Sequence, residues 1–179
     1  DLDLFPERTD GELDRIAIRA FLDHVGGPTS YVVDQATEVT AVVDGVKVSF
    51  VGYPFPWTDQ PTLAGSIHMA SSAAILQMKA YAIGRRGTAR DYADLGAGLR
   101  AQTTTLGELV NGAKERFALD GEPQFSERLF LQQLAYTADI PEAEKAAITA
   151  ELTWGSFDDM VAVLHRHVRS YLGSLGREE

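Results

Sequence analysis

The dipeptide Asp44-Gly45 separates two runs that alternate apolar and polar residues, Glu38 to Val43 and Val46 to Gly52. Asp-Gly suits the positive-φ positions of a type I′ turn, so this stretch predicts an antiparallel hairpin. A sheet is therefore required early in the chain. Tyr31-Val32-Val33 adds a strand before the hairpin. Tyr53-Pro54-Phe55-Pro56-Trp57 ends the sheet, because proline cannot donate to a ladder; its aromatics read as packing groups.

Helical signals surround this sheet. Thr9 and Glu12 form a capping box for a helix to about His24, with Leu13, Ile16, Ala17, Ala20, Phe21 and Leu22 as its apolar face and Gly26-Gly27-Pro28 as its stop. Ile67 to Ala70 reads as a short strand or an approach loop. Ser71 and Ser72 are caps for a helix over Ala73 to Ile83, broken at Gly84 and Gly87. Thr88 opens a helix over Ala89 to Leu99, and Thr105 with Glu108 caps Leu106 to Phe117. Asp120-Gly121-Glu122-Pro123 reads as a loop. Further helices run from Ser126 to about Ala138, from Pro141 to about Leu152, and from a Ser156–Asp159 box to about Leu172. The fold class expected is α+β: residues 1–62 form a small sheet with one helix, residues 63–179 form a helical half, and the two are expected to share a core.

With 45% hydrophobic and 23% charged residues, the 179-residue chain has the composition of a soluble globular protein. No apolar run is long enough to span a membrane. There is no secretory signal, so the expected address is cytoplasmic. Cysteine is absent, which excludes disulfides, thiolate metal sites and cysteine nucleophiles. A net charge of −10 argues against general electrostatic binding of nucleic acid. A local basic patch from Arg85, Arg86, Arg90 and Arg100 remains open. The four histidines are scattered; His165 and His167 lie two apart on different helix faces, a poor metal pair.

Two stretches carry chemistry. In Asp1-Leu2-Asp3-Leu4-Phe5, period two puts both carboxylates on one strand face. Two adjacent acids repel unless a cation sits between them, so D-x-D on a strand suggests Mg²⁺; a solvent-facing edge strand is the plainer reading. The stretch reads as the middle of a strand rather than a natural terminus. From Lys79 to Asp94, KAYAIGRRGTARDYAD places a lysine late in one helix and an acid early in the next. Phosphate chemistry uses a cation for the oxygens and a carboxylate for a metal or proton. Thr88-x-x-Asp91 is equally a capping box, and both readings stand.

DLDLF, VVDGVKVSFVGYPFPW, ILQMKAYAIGRRGTARDYADL and WGSFDDMVAVLHRHVRSYL occur in that order. Together they resemble the nucleotidyltransferase-like toxins of abortive-infection (AbiEii/AbiGii, type IV) toxin–antitoxin systems, over nearly the whole chain. The most specific parts run from Lys79 to Leu95 and from Lys47 to Pro56. The resemblance implies a polymerase-β-like nucleotidyltransferase core followed by helices. It implies that Asp1 and Asp3 hold Mg²⁺, in a one- or two-metal site, on a nucleoside triphosphate. It places Lys79 near the phosphates and Asp91 at the catalytic centre; the neighbouring Arg85 and Arg86, read from the basic stretch itself, are further phosphate contacts or a solvated turn. Asp94 reads as structural. These acids, Lys79 and Asp91 are expected across one cleft.

The family's phosphate-binding Gly-Gly/Ser turn lies upstream of the D-x-D, so a longer natural protein is implied. A third carboxylate on the neighbouring strand is common in nucleotidyltransferases; Ser49 stands at that position here, and the family often has serine too. The function implied is transfer of a nucleotide to an RNA or protein acceptor, with an antitoxin protein as partner. The alternatives are a non-catalytic binding member of the same fold and a small-molecule, antibiotic-modifying nucleotidyltransferase.

Overall fold

A computed structural model describes residues 1–6, 11–26, 30–57, 60–65 and 67–176. The fold is α+β, a small mixed sheet and a set of helices, and the chain divides into two compact units, Asp1–Trp57 and Thr58–Glu179.

In the first unit, β1 (Leu2–Leu4), β2 (Ser30–Gln35), β3 (Glu38–Val43) and β4 (Val46–Val51) form one sheet in the order β1-β4-β3-β2. The predicted hairpin is β3–β4, and its Asp44 and Gly45 have φ of 48° and 80°, as a type I′ turn requires. β1 lies parallel to β4, with Leu2, Asp3 and Leu4 opposite Val48, Ser49 and Phe50. The helix α1 (Arg15–His24) covers one sheet face through Leu22 and Ile18, which pack on Ala41, Val43 and Phe50. Burying Leu22 contributes roughly 1.5–3 kcal/mol.

The structure corrects the sequence reading of this helix. Thr9 lies outside the described residues; the cap is Asp14, whose Oδ1 accepts from Ala17 N at 2.9 Å. Ile16 is 84% exposed, while Ile18 and Leu22 face the sheet, and Arg15 and Arg19 of the same helix pair with Asp34 of β2. The proline-rich block packs as expected: Tyr53 and Phe55 are buried, and Phe5 meets Tyr53 and Trp57 edge-on at 5.6 and 5.7 Å.

The second unit contains the hairpin β5 (Thr62–Ala64)–β6 (Ile67–Met69), then α2 (Ser72–Arg86), α3 (Ala89–Arg100), α4 (Leu106–Arg116), the hairpin β7 (Ala118–Leu119)–β8 (Glu122–Pro123), α5 (Glu127–Ala135), α6 (Glu142–Glu151) and α7 (Phe157–Leu175). Ile67 thus begins a strand. Asp120-Gly121, read as loop, turns β7 into β8 with φ of 51° and 82°, the backbone of the Asp44-Gly45 turn again. α2 is the central helix and packs on α3, α4 and α5 through Ala74, Leu76, Ala80 and Ile83. Contrary to expectation, it runs through Gly84. A β-carbon on that glycine would make only ordinary contact, 3.8 Å from Phe130 of α5, so the helix continues there and the break falls at Gly87.

Candidate functional site

In the first unit, Asp1 and Asp3 are exposed; Asp3, in β1, occupies the sheet face opposite α1, and Asp1 immediately precedes the strand. Asp3 pairs in register with Ser49, and Ser49 with Thr40, so the three lie in one row across β1, β4 and β3. Ser49 and Thr40 are 4% and 1% exposed, a buried polar pair where a half-covered sheet usually places apolar residues. Thr40 Oγ1 lies 3.2 Å from Ser49 Oγ and 2.9 Å from Glu38 Oε1. Glu38 therefore brings another carboxylate to the face that carries Asp3. No sequence signal marked it, because its role depends on strand register.

In the second unit, the chain reverses at Gly87-Thr88, which lays α3 against α2. This brings Lys79 onto both acids singled out in the sequence: its Nζ is 3.0 Å from Asp91 Oδ1 and 2.8 Å from Asp94 Oδ2. The other oxygen of Asp91 accepts from Thr88 N and Thr88 Oγ1, each at 2.9 Å. Asp91 is thus a helix cap and an ion-pair partner at once. Burial alone would lower the Lys79 pKa, but hydrogen bonds and charge from Asp94 and Asp91 outweigh it and the net shift is upward. Lys79 is therefore a fixed cation, suited to electrostatic stabilisation and not to proton transfer at neutral pH.

The surroundings of this ion pair are acidic. Glu144 Oε2 of α6 accepts from Ala89 N at 3.3 Å, so two carboxylates meet the positive end of α3. Tyr92 donates its hydroxyl to Gln133 O at 3.2 Å, and burial, then the charges of Asp139 and Asp91, push its pKa up to about 12. It keeps its proton at neutral pH.

The arginines have different surroundings. Arg85 lies 4.4 Å from the centre of the Tyr81 ring and donates to Gln124 O at 3.3 Å, while Tyr81 stacks on Phe117 at 4.2 Å. Arg86 and Arg90 are exposed. Arg100 stacks over Trp154 at 4.9 Å, at the far end of α3 and about 15 Å along the axis from Arg90.

One charged residue escaped the sequence reading. Arg116 is fully buried, and its Nε donates to Gln77 Oε1 at 2.6 Å. Gln77 reaches it across Gly112, where a β-carbon would collide with the Gln77 amide. Nothing in the sequence marked this arginine, since a basic residue in the last turn of a helix is ordinary on the surface.

Among the described residues, no three of His, Asp and Glu converge as a ready-made metal site. The exposed carboxylates of Asp1 and Asp3 nonetheless fit Mg²⁺, which keeps several waters and takes its remaining ligands from substrate phosphates. No described helix is long and apolar enough to cross a membrane. No protein-family model, curated protein or solved structure matches the chain.

Proposed function

We propose that this protein is an Mg²⁺-dependent nucleotidyltransferase that moves a nucleotide from a nucleoside triphosphate to a hydroxyl of an RNA or protein acceptor. The observation that carries the reading is Asp3, exposed on β1 in the same row as the buried Ser49 and Thr40, with Asp1 exposed just before the strand. Asp1 and Asp3 would hold the metal, which neutralises charge on the triphosphate when bound. Lys79 is a permanent positive charge for a phosphate oxygen, and Asp91 takes the catalytic role that the resemblance implies. The attacking hydroxyl loses its proton, its oxygen bonds the α-phosphorus, and pyrophosphate leaves. In a cytoplasmic toxin–antitoxin pair, an antitoxin protein would restrain this activity. The test is incubation of the full-length protein with each labelled triphosphate, Mg²⁺ and total cell RNA. Transfer that disappears in Asp3→Asn supports the reading; no transfer to RNA, protein or small-molecule acceptors refutes it.

A non-catalytic binding member of the same fold is the second reading. It is favoured by the saturation of Asp91, both of whose oxygens are engaged within the second unit. Lys79 is likewise held by two carboxylates. An intact fold that binds triphosphate without transferring it would decide for this alternative.

A further inference from the structure

The proposed reaction releases a proton, and the first unit contains a path that could receive it; this inference rests on the nucleotidyltransferase reading. Asp1 and Asp3 are poor acceptors, because carboxylates that hold a cation have their lone pairs engaged. Glu38 stands on the same sheet face, two strands from β1. Thr40 Oγ1 is within hydrogen-bond distance of both Glu38 Oε1, at 2.9 Å, and Ser49 Oγ, at 3.2 Å. A hydroxyl carries one proton, and an ionised carboxylate only accepts. Thr40 therefore donates to Glu38, and Ser49 donates to Thr40. This direction leaves the lone pairs of Ser49 as the accepting end of the chain, in the row whose next member is Asp3. Thr40 and Ser49 are 1% and 4% exposed, so Thr40 is shielded from water while Ser49 retains a small exposed area. Burying two hydroxyls is costly unless they are paired, and apolar residues would fill the same space without that requirement.

We infer that Glu38 is a positioning residue for nucleotide transfer. Through Thr40 it holds Ser49 as hydrogen-bond acceptor for the attacking hydroxyl, and it stores the proton that this hydroxyl loses. The acceptor O–H breaks and its proton joins Ser49 Oγ. The Ser49 proton passes to Thr40, and the Thr40 proton passes to Glu38, which becomes neutral. The acceptor oxygen forms its bond to the α-phosphorus while the bond to the departing pyrophosphate breaks. Protons and charge balance throughout.

The experiment compares transfer kinetics and urea melts of the full-length wild type, Asp3→Asn, Glu38→Gln, Thr40→Val and Thr40→Ser, with labelled triphosphates, Mg²⁺ and total cell RNA. The side-chain amide of the Glu38→Gln variant still accepts from Thr40 but cannot take a proton at neutral pH. That variant should melt as wild type and keep its KM for triphosphate, while kcat falls roughly 100-fold or more, the scale of general-base catalysis. Thr40→Val should lose as much, and Thr40→Ser should recover most of it. Wild-type kcat in Glu38→Gln, or a Thr40→Ser variant as slow as Thr40→Val, would overturn the relay and leave the nucleotidyltransferase reading standing. No transfer by the wild type, or undiminished transfer by Asp3→Asn, would overturn that reading and the relay with it.

Discussion

The ammonium of Lys79 and the carboxylate of Asp91 meet at 3.0 Å across the turn from α2 to α3, and the second oxygen of Asp91 caps α3 through Thr88. Asp94 shares the same ammonium at 2.8 Å but caps nothing, and its side chain is 45% exposed. The two acids should therefore differ in their effect on stability. Asp91→Ala removes the N3 half of the Thr88 capping box, a hydrogen bond worth about 0.5–1.5 kcal/mol, and a partly exposed ion pair worth roughly 0.2–1 kcal/mol. Asp94→Ala removes only a pair of the second kind, about 0.2–1 kcal/mol. Urea denaturation of both variants measures the difference, and equal losses would refute the capping role of Asp91.

Acid should weaken the protein through its helix caps. The pKa of Asp159 lies below its ordinary 3.8 because the Ser156 N–H and hydroxyl donate to it. The Thr105 N–H and hydroxyl do the same for Glu108, whose ordinary value is 4.5. A carboxylate depressed in the folded state contributes stability that is complete above its unfolded pKa and is lost as pH falls through the folded one. The stability of the wild type should be level with respect to these groups near neutrality and should fall below about pH 4.5. Asp159→Asn and Glu108→Gln should each flatten that acid limb. Urea midpoints measured from pH 7 down to pH 3 provide the check; an acid limb as steep in the variants as in the wild type would contradict it.

Gly112 should tolerate an added carbon poorly. A β-carbon there displaces the Gln77 amide from its place against α4. That amide is the flexible end of a side chain, so the clash itself is avoidable. The 2.6 Å bond to the buried Arg116 is not kept when it moves. Weakening a bond to a buried charged group costs about 1–3 kcal/mol. Gln77→Ala should destabilise on this scale, and Gly112→Ala by about 1 kcal/mol less, because alanine is favoured over glycine inside α4. The double variant should cost less than their sum, because both break the same contact. Strict additivity in a double-mutant cycle would show that Gly112 and Gln77 act independently.

Legibility in the sequence followed the range of the interaction. Turns and caps join residues a few positions apart, so Asp44-Gly45 and the boxes at Thr88, Thr105 and Ser156 could be read directly. Asp120-Gly121 carried the same turn signal, but its strands are two residues long and too short to alternate. The helix of the first unit was placed, yet its buried face was misjudged by part of a turn. Its rotation depends on contacts between separate elements, Leu22 and Ile18 on the sheet and Arg15 and Arg19 on Asp34. Lys79 and Asp91 were found as a pair because one short turn separates their helices. Glu38 was not found, since only the register of β3 against β4 aligns Thr40 with Ser49. Arg116 was missed for a similar reason: its partner Gln77 lies on another helix, 39 residues away.

Asp3→Asn should weaken metal binding while leaving the metal-free protein at least as stable as the wild type. Asp1 stands just before the strand that carries Asp3, so without a cation their charges repel, and neutralising one relieves that repulsion. Asn has nearly the shape of Asp, and residue 3 is exposed, so the change opens no cavity. Hard cations favour anionic oxygen ligands, and Mg²⁺ affinity should fall by roughly tenfold or more, about 1.4 kcal/mol. An acid that served only to accept a hydrogen bond would behave in the opposite way, losing stability on conversion to Asn with no change in metal response. Wild-type protein should therefore gain melting temperature on adding Mg²⁺ with a nucleoside triphosphate, since a ligand that binds only the folded state stabilises it by mass action. The variant should show a smaller gain. A variant that melts well below the wild type without metal, yet keeps the full Mg²⁺-dependent gain, would remove Asp3 from the metal site and with it the nucleotidyltransferase reading.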